Sequence, residues 1–425
     1  MIKTRVTATQ LGAAQRIRGH EIRSYARDLA LLLAERIAIT RFSHAGRSTW
    51  VGGVPQKQTH SLRFETLGPT LYSGTAGVAL FLAAAARAGA DTASAAREAL
   101  AYAVDRTRAD SKPGLFTGAA GVCVAETIVA RLLDEPADAR LDLLAVAANA
   151  TTGFDLLSGR AGQVLALLGP GATSQTMRAA SELGDELIAS AVTRRHGLAW
   201  PTERALATRP LTGMSHGVAG VVVALAALAV ATGDRRYVSV AKRALDYEDS
   251  TFDVESANWP DYRISSAHHR RGGRPTCMTY WCHGAPGIAM GRMLAHHLAP
   301  TIDLGHLGAA LATTRWALRT EIDSGDPDTS LCHGVFGHVD VLLHARALRR
   351  YGKPAEDDVL IADAVRHLGD RLETGTPVHC GTHAAETPSG LLGWAGIGLT
   401  LLRIGEPSLP SLLDPTGLGS HTNTI

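Results

Sequence analysis

The chain is poor in aromatic residues, poor in cysteine and free of any sustained run of one charge. Phenylalanine, tryptophan and tyrosine together make up 5% of the 425 residues, and alanine is abundant. That balance suits close packing of helices rather than a strand-built core. The five cysteines are an odd number with no framework spacing, which argues against a secreted disulfide scaffold. A cytosolic chain with metal-binding thiolates is the expectation instead. Lysine plus arginine (42) nearly balances aspartate plus glutamate (40), a formal charge of +2, so nucleic acid is not an expected partner. The most basic stretch, His268 to Arg274, reads as a solvated loop in the longest insert. The longest charge-free apolar run, Gly217 to Thr232, is too short for a membrane span. Met1 to Arg5 opens without an apolar h-region, so no signal peptide is expected.

What the chain does have is a glycine punctuation, Gly-x-x-Gly, repeated seven times: 74/77, 118/121, 159/162, 217/220, 284/287, 334/337 and 393/396. First glycines are separated by 44, 41, 58, 67, 50 and 59 residues, about right for a helix pair with a variable loop. Ala/Leu-rich runs such as Val78–Ala83 and Val221–Leu228 follow the glycines and predict helices that are apolar nearly all round. Segments with more charge lie between them, at Asp91–Arg108, Glu182–Arg195, Asp234–Glu248 and Glu356–Glu373. These predict amphipathic outer helices. An inner and an outer helix per repeat imply an all-α fold, an α/α toroid of seven helix pairs whose inner helices start at the glycines. Closure into a ring buries every inner face without capping repeats. The glycines are expected both to permit the turn into each inner helix and to allow close backbone approach. Residues 1–60 are expected to form an N-terminal helical segment packed on the toroid, and 61–425 the toroid itself.

Two repeats carry extra chemistry. Cys282-His283 and Cys332-His333 fall at identical repeat positions, each cysteine two residues before a first glycine. A symmetric fold brings them to equivalent places. Cys282, Cys332 and His333 then form a tetrahedral zinc set with one position left over, and two thiolates plus an imidazole favour zinc over harder cations. The alternative is that both cysteines are small buried hydrophobes, the usual role of a free cysteine. His216 stands one residue before the first glycine of repeat four, the position His333 holds in repeat six. It is the candidate acid–base group; otherwise it is a helix-start histidine bonded to local backbone.

Trp281-Cys282-His283-Gly284-Ala285-Pro286-Gly287 and Leu331-Cys332-His333-Gly334 resemble the two signature motifs of the LanC-like proteins, which comprise the lanthipeptide cyclases and their eukaryotic relatives. The resemblance covers the whole repeat region and implies an α/α toroid. It also implies one zinc ion held by Cys282, Cys332 and His333. The reaction it implies adds a peptide cysteine thiol across dehydroalanine or dehydrobutyrine, closing a thioether ring in a dehydrated precursor peptide. A dehydratase and a transporter are the implied associates. His216 matches the family's catalytic histidine, and Asp155 resembles the aspartate before the third glycine repeat, where it would orient His216. Asp155 is otherwise a turn or N-cap aspartate. Many bacterial cyclases have Tyr after the first zinc cysteine and Arg four residues before it; here those places hold His283 and Met278. His283 is therefore the next candidate for proton transfer, and Arg274 a substitute cation. The string Cys282-His283-Gly284-Ala285-Pro286-Gly287 is closer to the eukaryotic relatives, for which glutathione is the implied donor.

Three functions follow. One is a zinc-dependent thioether cyclase. Another is a related enzyme that adds glutathione to dehydroamino acids. The third is a non-catalytic, zinc-stabilised scaffold for a peptide. The remaining histidines and cysteines carry less. His296, His297, His306, His344 and His367 read as surface or satisfied residues, His338 as a packing residue near the pocket, and Cys123 as core. Cys277 lies near the site without a repeat equivalent. His379, Cys380 and His383 form a metal-like cluster by composition, in a Gly/Thr/Pro-rich loop.

Overall fold

A computed structural model describes residues 19–55, 62–109, 113–136, 153–201, 207, 209–263, 275–346, 348, 351–381 and 386–417. The basic stretch 268–274, with Arg274, lies outside these residues, as do His383 and the first five residues. Seven helices begin one residue after a first glycine. They are α2 (Thr75–Arg87), α4 (Ala119–Leu132), α5 (Arg160–Leu168), α7 (Val218–Thr232), α9 (Ala285–Leu298), α11 (Val335–Ala345) and α13 (Trp394–Gly405). Their apolar character has a direct consequence. In α2 every residue from Thr75 to Ala85 is buried, and in α7 every residue from Val218 to Leu228.

These helices pack in cyclic order, each on the next, and α13 packs back on α2 to close the ring. Outside them lie α1 (Gly19–Ile39), α3 (Ala93–Ala109), α6 (Ser174–Ser190), α8 (Arg235–Asp249), α10 (Leu307–Asp323) and α12 (Pro354–Thr374). An outer helix buries one stripe only: in α6 it is Thr176, Ala179, Ala180, Leu183 and Leu187. The outer element expected between α4 and α5 falls in 137–152, outside the described residues. The segment after α13 contributes Leu413 to a small cavity that Leu165, Val223 and Leu294 of three inner helices also line. No helix among the described residues is long and apolar enough to cross a membrane.

The helical expectation needs one addition. Among the described residues three antiparallel strand pairs decorate the ring: β1 (Phe42–His44) with β2 (Arg47–Thr49), β3 (Val51–Pro55) with β4 (Leu62–Thr66), and β5 (Val192–Arg194) with β6 (Gly197–Ala199). The outer segment expected over Glu182–Arg195 is therefore a helix only to Ser190. It starts earlier, at Ser174, where Thr173 and Thr176 form a reciprocal cap. The first and third hairpins belong to the same structural unit. Trp50, directly after β2, donates its indole N–H to the Ile37 carbonyl of α1 at 2.8 Å. Trp200, directly after β6, does the same to Leu187 of α6 at 2.8 Å. Strand β2 packs on the next outer helix, α3, as β6 packs on α8. Helix α1, seated on α13, α12 and α2, thus takes the place of an outer helix in the ring.

The glycine repeat has a steric cause more than a conformational one. Only one first glycine, Gly284, has a positive φ (104°) at the helix start; the others described there are extended. At the second glycine the chain passes under the carbonyl of the residue six before it. A Cβ on Gly121 would collide with the Leu115 carbonyl oxygen, and one on Gly287 with that of Trp281; the same holds at Gly77, Gly162, Gly220, Gly337 and Gly396. That approach turns the residue two before each first glycine toward its neighbour. A ladder of backbone hydrogen bonds then runs around the rim. Cys332 donates to Leu391 (3.1 Å), Leu391 to Tyr72 (2.8 Å) and Tyr72 to Phe116 (2.9 Å). Phe116 donates to Leu157 (2.9 Å), Leu157 to Ser215 (3.3 Å) and Ser215 to Cys282 (3.2 Å). Among the described residues no such bond joins Cys282 to Cys332.

Gly287→Ala is expected to destabilise the protein by about 3 kcal/mol, the upper end of ordinary overpacking, because the obstruction is backbone. Gly68→Ala is the control: nothing lies within 4 Å of its Cβ position, so the change should stay within about 0.5 kcal/mol. Urea melts of both variants decide this; equal stabilities would remove the steric account of the repeat.

Candidate metal and acid–base centre

At the gap in the rim ladder, Cys282, Cys332 and His333 each offer a ligand atom, all within 4.8 Å of one another. Zinc–ligand arms of about 2.0–2.3 Å at tetrahedral angles ask for ligand atoms under about 4 Å apart, so the cluster needs little contraction to take an ion. Both sulfurs are buried. His333 Nδ1 is buried without a hydrogen-bond partner, and the ring stands edge-on to Tyr280 with centroids 5.1 Å apart. A soft S,S,N donor set with an unspent imidazole nitrogen fits zinc. The hydrogen bond from Cys332 holds the Cys282 thiol well below its ordinary value; burial opposes this, and the bond and charge of His333 reinforce it. Burial, followed by the neighbouring Cys282, pushes Cys332 well above it. A doubly charged ion held there would resolve this contest by making both sulfurs thiolates.

Beside the cluster the rim positions of repeats three and four bring Asp155 and His216 together. Asp155 Oδ2 lies 2.7 Å from His216 Nδ1. The other carboxylate oxygen accepts from the backbone N–H of Ser158 at 2.8 Å and of Gly159 at 2.9 Å, at the start of α5. Burial alone would raise this carboxyl. The bond and charge of His216 and the two N–H donors outweigh it and leave the pKa below the ordinary value. An ionised Asp155 can only accept, so His216 Nδ1 carries the proton and Nε2 is left for chemistry. His216 is partly open to solvent, with 39% of its side chain exposed. Asp155 thus makes the backbone contacts of a turn aspartate and also meets His216.

His283 is buried, its ring 6.1 Å from that of His216. Burial pushes its pKa down to about 4, so the imidazole is neutral at pH 7. Gly213 lets the chain cross directly over it: a Cβ there would stand 2.6 Å from the Cys282 carbonyl oxygen and 2.9 Å from His283 Cα.

Several neighbours were not visible in the sequence. Tyr72 donates its hydroxyl to Cys332 Sγ at 3.0 Å. Arg263, clamped by Asp261 at 2.7–3.0 Å, places a positive charge within electrostatic reach of Cys282 and Cys332. It is a cation near the place the sequence assigned to Arg274. Behind the site, His338 Nε2 bonds the Thr279 carbonyl at 2.7 Å while Nδ1 faces Glu321 Oε2 at 3.5 Å. This is not an ion pair at neutral pH. Burial lowers His338 to about 4, and burial with the Asp328 charge raises Glu321 to about 9. Of these, Tyr72 had a findable signal, since it occupies in repeat one the position of the two cysteines.

The remaining candidates are not part of the ligand group. His379 pairs with Asp326 at 3.0 Å, and burial pushes the Cys380 thiol up to about 12, that of an inert core residue. Cys277 lies against Ser256, 3.2 Å away. Among the described residues the only group of three or more potential ligands is Cys282, Cys332 and His333.

A pH dependence follows from Glu321. Its folded-state pKa is raised, so the stability it contributes is full below about 4.5 and is lost as pH rises toward about 9. Glu321→Gln keeps the neutral form throughout. In urea melts at pH 5, 7 and 9 the variant is expected to gain on the parent steadily; parallel curves would mean that Glu321 ionises normally.

The comparisons with known proteins agree with this geometry. The family described as lanthionine synthetase C-like protein matches residues 65–414. Among solved structures, nisin cyclase superposes with a TM-score of 0.61 at 17% identity, over 82% of this chain and 93% of that one. A possible member of the GH105 family from Salmonella enterica subsp. enterica serovar Paratyphi A gives 0.43 at 12% identity, over 96% and 98%, a loose likeness of shape. No curated protein sequence matches the chain. At 17% identity the nisin cyclase likeness is one of fold alone. The family match spans all seven rim positions, Tyr72 among them, with both cysteine motifs, Asp155 and His216, and on that match the chain belongs to the lanthionine synthetase C-like family.

Proposed function

We propose that the protein is a zinc-dependent lanthipeptide cyclase that adds peptide cysteine thiols to dehydroalanine or dehydrobutyrine. The observation that carries this reading is the meeting of a three-donor metal cluster with a carboxylate-oriented histidine on one rim. When bound there, zinc supplies a Lewis acid that holds a peptide thiol as thiolate near pH 7, where a free thiol of pKa about 8.5 is mostly protonated.

The chain's own residues do the rest. The sulfur forms its bond to the β-carbon of the dehydro residue, and the π electrons move toward the neighbouring carbonyl. The α-carbon then takes a proton, so that S–H has added across the double bond and nothing is left over. His216 Nε2 is the group that accepts the thiol proton and returns it to carbon, because Asp155 holds Nδ1. Neutral His283 lines the same space and can donate a hydrogen bond without carrying charge. The substrate is a precursor peptide already dehydrated at serine or threonine, so a dehydratase acts first.

A second reading, in which glutathione supplies the thiol, is favoured by His283 and Met278 standing where bacterial cyclases hold Tyr and Arg. Incubating a dehydrated peptide with the protein, with and without glutathione, separates the readings. Loss of free thiols at unchanged peptide mass is ring closure, and a mass gain of one glutathione is the second reading. Neither change, with zinc present, leaves a peptide-binding scaffold.

The purified protein is expected to hold about one zinc per chain. Cys332→Ala should lose zinc and thiol addition yet keep its helical circular dichroism, because the ring buries its own apolar core. Collapse of that signal would make the metal structural. His216→Ala should keep zinc and slow addition by about two to four decades; parental rates in that variant would move proton transfer to His283.

A further inference from the structure

The seven rim positions are equivalent in the ring, and three of them carry side chains that meet at one place: Cys282, Cys332 and, from repeat one, Tyr72. Tyr72 arrives there by construction. Its N–H donates to Phe116 and its carbonyl accepts from Leu391, whose own carbonyl receives the Cys332 N–H. Tyr72 and Cys332 are therefore held two steps apart on one hydrogen-bonded track. The ring of Tyr72 spans that gap and sets its hydroxyl 3.0 Å from Cys332 Sγ. Among the described residues no hydroxyl is bonded to Cys282 Sγ; the nearby Ser215 Oγ donates instead to the Cys282 carbonyl, at 3.1 Å.

We infer that Tyr72 is a positioning residue of the metal centre, donating a hydrogen bond to one of its two thiolates and so making the two sulfurs unequal. The inference rests on the proposed zinc site. A metal-bound cysteine is a thiolate and can only accept. Two thiolates neutralise a divalent ion, and an incoming peptide sulfur brings the buried centre to a net single negative charge. The Tyr72 O–H dipole, aimed at the buried Cys332 sulfur, offsets that charge. It also draws electron density from Cys332, so that Cys282 and the incoming sulfur carry more of the donation. Partners of this kind, hydrogen-bonded to ligands, affect metal affinity about 10- to 100-fold.

The test uses metal alone. Cobalt(II) replaces zinc in the full-length protein, and the sulfur-to-cobalt charge-transfer band is recorded for the parent and for Tyr72→Phe, which removes one oxygen and keeps the ring. Zinc affinity is measured by competition with a chromogenic chelator, and circular dichroism is read on the same samples. Removing the hydrogen bond raises the energy of the sulfur lone pair. The band of Tyr72→Phe should therefore move to longer wavelength, and its zinc affinity should fall about tenfold, with the helical signal unchanged. Tyr72→Leu, a second variant without a hydroxyl, should shift the band in the same direction and serves if the Phe variant does not fold. Identical bands and equal affinities in parent and variant would overturn the inference and leave Tyr72 a packing residue. A parent protein that binds neither cobalt nor zinc would overturn the metal reading itself, and the role of Tyr72 with it.

Discussion

The passage of the second glycine of each repeat beneath a backbone carbonyl six residues earlier is the contact on which the rest of the molecule depends. It leaves no room for a side chain at any of the seven positions. The close turn it creates starts every inner helix at the same height and orients the residue two before the first glycine toward the next repeat. The rim ladder follows, and with it the angular spacing of the inner helices. A single Cβ would push a carbonyl out of this arrangement, and the displaced group belongs to the segment that carries the candidate site. Fold and chemistry therefore share one steric constraint.

Once the rim exists, function needs only a choice of side chains at equivalent places. Leucine or phenylalanine at that position fills the lumen, as at Phe116, Leu157 and Leu391. Cysteine in two successive repeats, at the open step of the ladder, instead brings two sulfurs into a cluster that could hold a metal ion. The neighbouring position one residue on supplies His333 to the cluster and His216 to the contact with Asp155, two repeats apart in sequence yet on the same rim. Asp155 is tied to the start of α5 by two backbone N–H groups, which keeps it ionised and so fixes the tautomer of His216. Burial lowers both histidines beside the cysteines: it holds His283 neutral, while at His333 the hydrogen bond and charge of Cys282 outweigh it and raise the pKa.

Buried ion pairs brace the scaffold away from this centre. Arg292 of α9 reaches Glu248 and Asp249 of α8, both at 2.6 Å, and Arg315 of α10 reaches Asp357 of α12, also at 2.6 Å. Arg403 of α13 bonds Asp340 of α11 at 2.8 Å. Breaking any of these would leave an uncompensated charge inside the helix layers, so they specify neighbours more than they add net stability. The hairpin unit that ends in Trp50 or Trp200 caps an outer helix in a different way, with an indole N–H on a carbonyl near the helix end.

Local sequence determined the elements whose cause is local. Glycine spacing marked each inner helix start to the residue, unbroken apolar runs marked the inner layer, and matched cysteine positions marked the ligand cluster, because a periodic sequence folds into equivalent positions. Asp155 and His216 were legible as candidates, but their 2.7 Å contact was not, since it joins residues 61 positions apart across two repeats. The short hairpins were missed because three-residue strands at a helix exit carry no usable periodicity. The place of α1 as an outer helix of the ring, seated on α13, could only be set when the two ends of the chain met. Tyr72, Arg263 and Glu321 likewise owe their relation to the site to ring closure and loop packing. Tertiary structure alone decided these contacts, because each is a distance through space between segments far apart in the chain, even at Tyr72, whose repeat position was legible.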